Sequence, residues 1–210
     1  MFIRVAVLLF IASTVFLSVL KGKAMAEEAD RKETAYVDTL YRLHLAWREN
    51  RILKTVNLNE RSKSLSEDEK NRLAKTVSEC SKLNGHDPFL LLALIEVESG
   101  YDGRAVSEKG AMGLLQVRPF VAREMAGELD ISFPNDNGLH DMETNVKIGS
   151  YYLAKMMRRY GDLTMALEAY NLGPAKLDTL VEEGRLKKRF TKRTLKVRDR
   201  LRKLAPQIPA

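Results

Sequence analysis

The strongest constraint on this chain is the apolar run Phe89-Leu90-Leu91-Leu92-Ala93-Leu94-Ile95, which leads into Glu96-Val97-Glu98-Ser99-Gly100. Asp87-Pro88 sits just before it, an N-cap acceptor followed by proline at the first helical position, where a missing N–H costs nothing. The pattern predicts a helix over 88–99. Because that helix is apolar on every side, it has no face for water and other elements must enclose it. Helices are the material at hand. Ser66 and Glu69 have capping-box spacing, and Leu73, Val77 and Cys80 continue one apolar stripe toward Leu83 before Asn84-Gly85 stops it. Tyr36, Leu40, Leu43 and Trp47 recur at helical spacing and predict an amphipathic packing or docking helix over about 31–50. Asn57 to Ser64 is polar and reads as a connection. No alternating β-branched run occurs, so a small hairpin around 105–120 is the one place to expect strand. The expected class is all-α, α+β at most: a compact helical domain with a cleft.

Composition narrows what such a domain can do. The 210 residues include one cysteine, Cys80, so neither an intramolecular disulfide nor a thiolate zinc cluster can form. His44, His86 and His140 are scattered without metal-ligand spacing. The start is basic through Arg4, then Val5 to Leu20 is uncharged and apolar, and Ala24-Met25-Ala26 is a small-x-small triplet. These features read as an export signal cleaved after Ala26, with a retained anchor as the rival, since the run falls little short of the roughly 20 residues that span a bilayer. Both readings send the protein to the periplasm or cell envelope. The expected organisation is 1–26 signal or anchor, 27–65 helical extension, 66–184 main domain and 185–210 basic helix or tail.

Chemistry is expected at the end of the apolar helix. A carboxylate projecting from it into a cleft is poorly solvated, which disfavours the charged form and suits a general acid. Glu98 shares the face of Leu91, Leu94 and Ile95. Glu96, two positions away, points roughly 200° from it, so the two cannot act as a facing pair. Asp102, Glu108 and Asp141 lie in neighbouring loops and are assigned no catalytic role.

Several blocks follow in order: Glu98-Ser99; Ala105-Val106-Ser107; Gly110-Ala111-Met112-Gly113-Leu114-Leu115-Gln116 with Pro119; Asn145-Val146-Lys147-Ile148-Gly149-Ser150-Tyr151-Tyr152-Leu153; and Ala169-Tyr170-Asn171. Together, over roughly 66–180, they resemble the catalytic domain of the soluble lytic transglycosylases, the goose-lysozyme-like group that cleaves peptidoglycan. The resemblance implies a lysozyme-like fold and the β-1,4 bond between N-acetylmuramic acid and N-acetylglucosamine as target. It makes Glu98 the single acid/base, with no metal and no cofactor. Ser99, Gln116, Tyr170 and Asn171 become substrate-binding candidates. Gly113 is expected to bring backbone close to a sugar, and Met112 to fill cleft or core. Asn145, Gly149, Tyr152 and Leu153 read as helix packing. Such enzymes are believed to use the sugar's own 2-acetamido group in place of a second carboxylate, closing a 1,6-anhydro ring. A goose-type hydrolase and a non-catalytic peptidoglycan-binding scaffold are the alternatives.

The chain departs from the family pattern in places. Gly103 stands where proline is common, Ala175 follows Gly173-Pro174 where glycine is common, and no closing Glu-Thr pair can be placed near the end. Residues 185–203 instead carry eleven Lys and Arg against Asp199, with Leu195, Leu201 and Leu204 along one side. The expectation is a basic, weakly amphipathic helix, either docked by its leucines or bound to stem-peptide carboxylates, an anionic wall polymer or membrane phosphates. Nucleic acid is not an expected partner, and nothing sets an oligomeric state. The formal charge of +7 thus resides mainly in this segment.

Overall fold

The computed structural model describes residues 2–131 and 136–205, without the side chains of 2–20, 22, 24 and 136. The export-signal or anchor reading of residues 1–26 falls largely outside the described side chains. Among the described residues no helix is long and apolar enough to cross a membrane.

In chain order the helices are α1 (Phe2–Leu58), α2 (Glu67–Leu83), α3 (Pro88–Glu98), α4 (Pro119–Glu128), α5 (Met142–Tyr160), α6 (Leu163–Leu172), α7 (Pro174–Glu182) and α8 (Arg189–Leu204), with 3₁₀ turns at Glu60–Ser62 and Asp136–His140. The chain divides into two units, Met1–Trp47 and Arg48–Ala210. In the first, the stripe expected over 31–50 lies on α1, and Tyr36, Val37, Leu40 and Leu43 are exposed. The second unit holds the core. It begins within α1, where Ile52 and Val56 are buried.

Local signals act as expected around α3. Ser66 accepts from the Glu69 amide while the Glu69 carboxylate accepts from Ser66, closing the capping box of α2. Asp87 accepts from the Phe89 amide at 3.1 Å and Pro88 occupies the first turn of α3. Every residue from Phe89 to Ile95 is buried, enclosed by α2 on one side and α8 on another. Cys80 is buried against this core, and desolvation pushes its thiol up to about 11, so it packs as an inert apolar group.

One expectation is refined and one corrected. The 57–64 segment connects α1 to α2 and is mostly exposed, but α1 continues to Leu58, and Asn59 and Ser62 are buried. They can be buried because each is satisfied, Ser62 donating to the Val56 and Asn59 carbonyls and Asn59 bonding the Glu96 carboxylate and the Tyr101 hydroxyl. Around 105–120, isolated antiparallel bridges, Val106 with Met112 and Met112 with Val117, stand where a hairpin was expected. Positive φ at Gly110, Gly113 and Gln116 turns the backbone too often for a ladder to extend.

Helix α8 is a docked element and no free tail. Leu201 is fully buried, and Phe190, Leu195, Val197 and Leu204 pack on the same core. Its N-terminus lacks a local side-chain cap, but the buried Glu168 carboxylate of α6 accepts the Thr191 amide at 2.9 Å. Toward its other end Arg200 grips Glu96 with both carboxylate oxygens, at 2.5 and 2.6 Å, and Arg202 reaches Asp87 at 2.7 Å. Leu201→Ala is therefore expected to cost about 2–4 kcal/mol in urea unfolding, as for a core leucine, whereas a solvated tail helix would lose under about 0.5 kcal/mol.

Candidate active site

At the end of α3 the two glutamates meet different environments. Glu96 is clamped: besides Arg200, its carboxylate accepts from Asn59 Nδ2 at 2.9 Å, and Arg200 also donates to Asn59 Oδ1 at 3.2 Å. Glu98, on the other face, is half-buried, and among the described residues its carboxyl makes no hydrogen bond or ion pair. Burial pushes its pKa up to about 7, against a downward pull from the Arg193 guanidinium. Desolvation wins because no donor stabilises the anion. Near neutral pH the group holds its proton about half the time, the condition a general acid needs.

Glu98 and Ser99 line an open cleft of about 400 Å³ together with Arg61, Val97, Gly100, Arg193, Val197 and the clamped Glu96. Gln116, Tyr170 and Asn171 line a second recess of about 70 Å³ with Phe120, Tyr152 and Gly173. Glu98 and Tyr170 are near enough that the carboxylate's charge raises the tyrosine pKa, which burial raises first and most, so the phenol stays protonated. The structure thus brings four of the expected residues to the two recesses beside the acid.

Their hydrogen bonds assign them more internal work than the sequence suggests. Ser99 donates its hydroxyl to the Ile95 carbonyl at 3.1 Å, as residues at a helix end often do. Tyr170 donates to the Leu115 carbonyl at 2.8 Å, and its ring lies 5.4 Å from that of Tyr152. Gln116 donates both amide hydrogens to backbone, to Ala105 O at 3.1 Å and Gly113 O at 3.0 Å, leaving its Oε1 as the group it can offer a ligand. Asn171 is exposed. Met112 and Gly113 line neither recess and contribute through the backbone: Met112 pairs with Val117, and Gly113 packs so tightly that a Cβ would lie 2.3 Å from both the Asn145 amide and the Leu139 carbonyl.

Asn145 is the residue that sequence reasoning undervalued. Read as helix packing, it is instead the buried hub of the loop: Nδ2 donates to the Met112 and Leu139 carbonyls at 2.9 Å each, and Oδ1 accepts the Leu115 amide at 2.7 Å. A buried asparagine early in an amphipathic helix was the available signal, because burial of an amide demands partners. Phe120 was also passed over. It is 55% exposed at the second recess, its ring covered on one side by the Arg118 guanidinium at 4.8 Å, and offers an apolar face to a sugar.

Two outcomes test this geometry. Asn145→Ala leaves one buried donor and two carbonyls without that partner, so it is expected to lower stability by about 2–4 kcal/mol in urea melts and to collapse the Gly113–Gln116 loop, seen as lost ligand binding. Glu98→Gln is expected to stabilise the fold above neutral pH. A carboxyl with pKa raised in the folded state costs nothing below its unfolded value near 4.5 and destabilises progressively as pH rises toward about 7. The variant's advantage in thermal melts should be absent at pH 4, grow through pH 5–7 and level off above, at about 3 kcal/mol.

Known proteins resemble this chain in sequence and in fold. The Transglycosylase SLT domain family matches residues 75–191. Among curated relatives, the membrane-bound lytic murein transglycosylase C of Haemophilus ducreyi is 33% identical over 93 residues, covering 41% of this chain and 24% of that protein. The transglycosylase of Enterobacteria phage PRD1 is 30% identical over 99 residues, covering 47% of this chain and 34% of its own. The chain therefore spans about a quarter to a third of the length of these two relatives. In structure, the 70-kDa soluble lytic transglycosylase in complex with bulgecin A superposes with a TM-score of 0.51 at 21% identity, over 64% of this chain and 24% of that one, a likeness of fold. An inactive glutamate-to-glutamine mutant of the lytic transglycosylase Slt from Pseudomonas aeruginosa gives 0.50 at 24% identity, over 61% of this chain and 22% of that one. Since the family match spans more than half of the chain and contains Glu98, Asn145 and Tyr170, this protein belongs to the Transglycosylase SLT domain family.

Proposed function

We propose that the protein is a peptidoglycan lytic transglycosylase of the cell envelope, with Glu98 as its one acid/base. The observation that carries the reading is the contrast at the end of α3: a half-buried carboxyl without internal partner, beside a second glutamate held by Arg200 and Asn59 and so removed from chemistry. Asp102 is engaged by the Arg104 amide, Asp141 caps α5, and Glu108 is exposed. None of the three lines the recesses beside Glu98. A single carboxyl suits a reaction in which the substrate provides the nucleophile.

Glu98 in its protonated form gives its proton to the oxygen joining N-acetylmuramic acid to N-acetylglucosamine, and that bond breaks as the 2-acetamido oxygen attacks the anomeric carbon. The resulting carboxylate then takes the proton of the C6 hydroxyl, whose oxygen displaces the acetamido group and closes the 1,6-anhydro ring. Acid and base are one group, regenerated at the end of the cycle, and water is not consumed. Tyr170, Gln116 and Asn145 hold the loop opposite, and Phe120 offers a stacking face. Asn171 and the Gln116 carbonyl are the polar groups left to orient a sugar. Residues 1–26, as export signal or anchor, would bring this site to its polymer.

Digestion of purified sacculi with mass spectrometry of the products tests the reading. Anhydro-ended muropeptides that disappear with Glu98→Gln are the expected result. Reducing ends would make the enzyme a hydrolase, and undiminished release by the variant would remove Glu98 from the chemistry. Because the free enzyme's acid titrates near 7, kcat/KM should fall about tenfold per pH unit well above that value.

A further inference from the structure

The cleft that holds Glu98 also holds two guanidiniums, Arg61 from the 3₁₀ turn after α1 and Arg193 from α8. Several basic residues around them are engaged within the chain: Arg200 with Glu96, Arg202 with Asp87, Arg198 with Asp199, and Lys63 with Glu60, the acid next to Arg61 in sequence, while Lys192 and Lys196 of α8 are exposed and do not line the cleft. Among the described residues neither Arg61 nor Arg193 has a carboxylate partner, and both are exposed to the cleft's solvent. Both also fall outside the 75–191 stretch matched by the family, so the cations are brought by this chain's flanking segments.

Their position works against the chemistry unless it serves something else. A cation beside a general acid favours the acid's ionised form, and Arg193 does pull Glu98 downward. The polymer proposed above supplies a reason. Muramic acid differs from N-acetylglucosamine by a 3-O-lactyl arm, which ends in its own carboxylate on stripped strands and continues into a carboxylate-bearing peptide on intact ones. A guanidinium pairs with such a group through two parallel N–H donors, a geometry a lone ammonium lacks.

Resting on the transglycosylase reading, we infer that Arg61 and Arg193 form an anion subsite beside Glu98 that binds the carboxylate carried on the lactyl arm of a muramyl residue. The subsite sets the strand so that a muramic acid, and not an N-acetylglucosamine, presents its anomeric carbon to the acid. An arm anchored at the α8 side of the cleft also fixes the direction in which the strand lies.

The test uses the full chain in the Glu98→Gln background, which binds without turnover. Three soluble oligosaccharides are titrated calorimetrically: muramyl strands with free lactyl carboxylates, the same strands bearing stem peptides, and a chito-oligosaccharide with neither. Arg61→Gln with Arg193→Gln should weaken binding of the muramyl strands about tenfold, abolish its salt dependence, and change chito-oligosaccharide binding less than twofold. The double lysine variant should recover part of the loss. Loss with stripped strands identifies the lactyl carboxylate, and loss confined to peptide-bearing strands identifies the peptide. Unchanged affinity for both muramyl strands, or an equal loss with chito-oligosaccharide, would overturn the subsite. Neither arginine makes an internal ion pair, so matching thermal melts are expected for the variants, and a fall in melting temperature with a uniform loss of binding would also count against it. Product analysis of the wild type judges the transglycosylase reading separately, since these titrations need no catalysis.

Discussion

The structure depends on how Glu96 is held. Arg200 from α8, Asn59 from the turn after α1 and the buried Tyr101 hydroxyl converge on that carboxylate or on each other, and so join three segments distant in sequence at the end of the apolar helix. An ion pair whose arginine is 43% exposed while its carboxylate is nearly buried is not a large source of stability by itself, because water screens one partner and desolvation of the other offsets much of the attraction. What it provides is registration. With Glu96 fixed to Arg200, helical geometry turns Glu98 away from that clamp, toward the part of the cleft lined by Arg61, Arg193 and Val197, where among the described residues it makes no hydrogen bond.

Around that point the fold resolves a conflict between burial and polarity. The apolar helix needs enclosure on all sides, yet its far end carries Glu98 into an open cleft. Helix α8 closes one side with Leu201 and Val197 while its basic residues face outward or pair with acids of α3. The loop from Ala105 to Val117 closes another with Leu114 and Leu115, and needs left-handed backbone at Gly113 and Gln116 to do so. A non-glycine residue in that conformation costs about 1–2 kcal/mol, and the Gln116 amide offsets it by bonding two carbonyls of its own loop. Strain and hydrogen bonding are thus concentrated in the backbone beside the acid.

Much of this was legible in the residues. The cap at Asp87, the capping box at Ser66, the enclosure of α3 and the divergence of Glu98 from Glu96 follow from local rules: an acceptor before a proline, a serine three before a glutamate, and the 100° step of a helix. The blocks from Glu98 to Asn171 carried the family. Less legible was the status of segments whose composition misleads. Asn59 and Ser62 sit in a polar stretch that hides their burial, and the basic stretch at 185–203 looks like a tail, because composition records what a residue prefers in water and not which partner it finds.

What the sequence determined by itself is therefore the helical class, the buried helix and the divergence of Glu96 and Glu98 at its end, since each depends on residues within a few positions of one another. Only the tertiary structure decided which glutamate is neutralised, that Asn145 and not Ser99 carries the burden of positioning, and that Arg61 and Arg193 share the acid's cleft. Those outcomes depend on contacts between residues up to 141 positions apart. Desolvation and charge pairing are properties of a place in space, and a chain has such places only once it is folded.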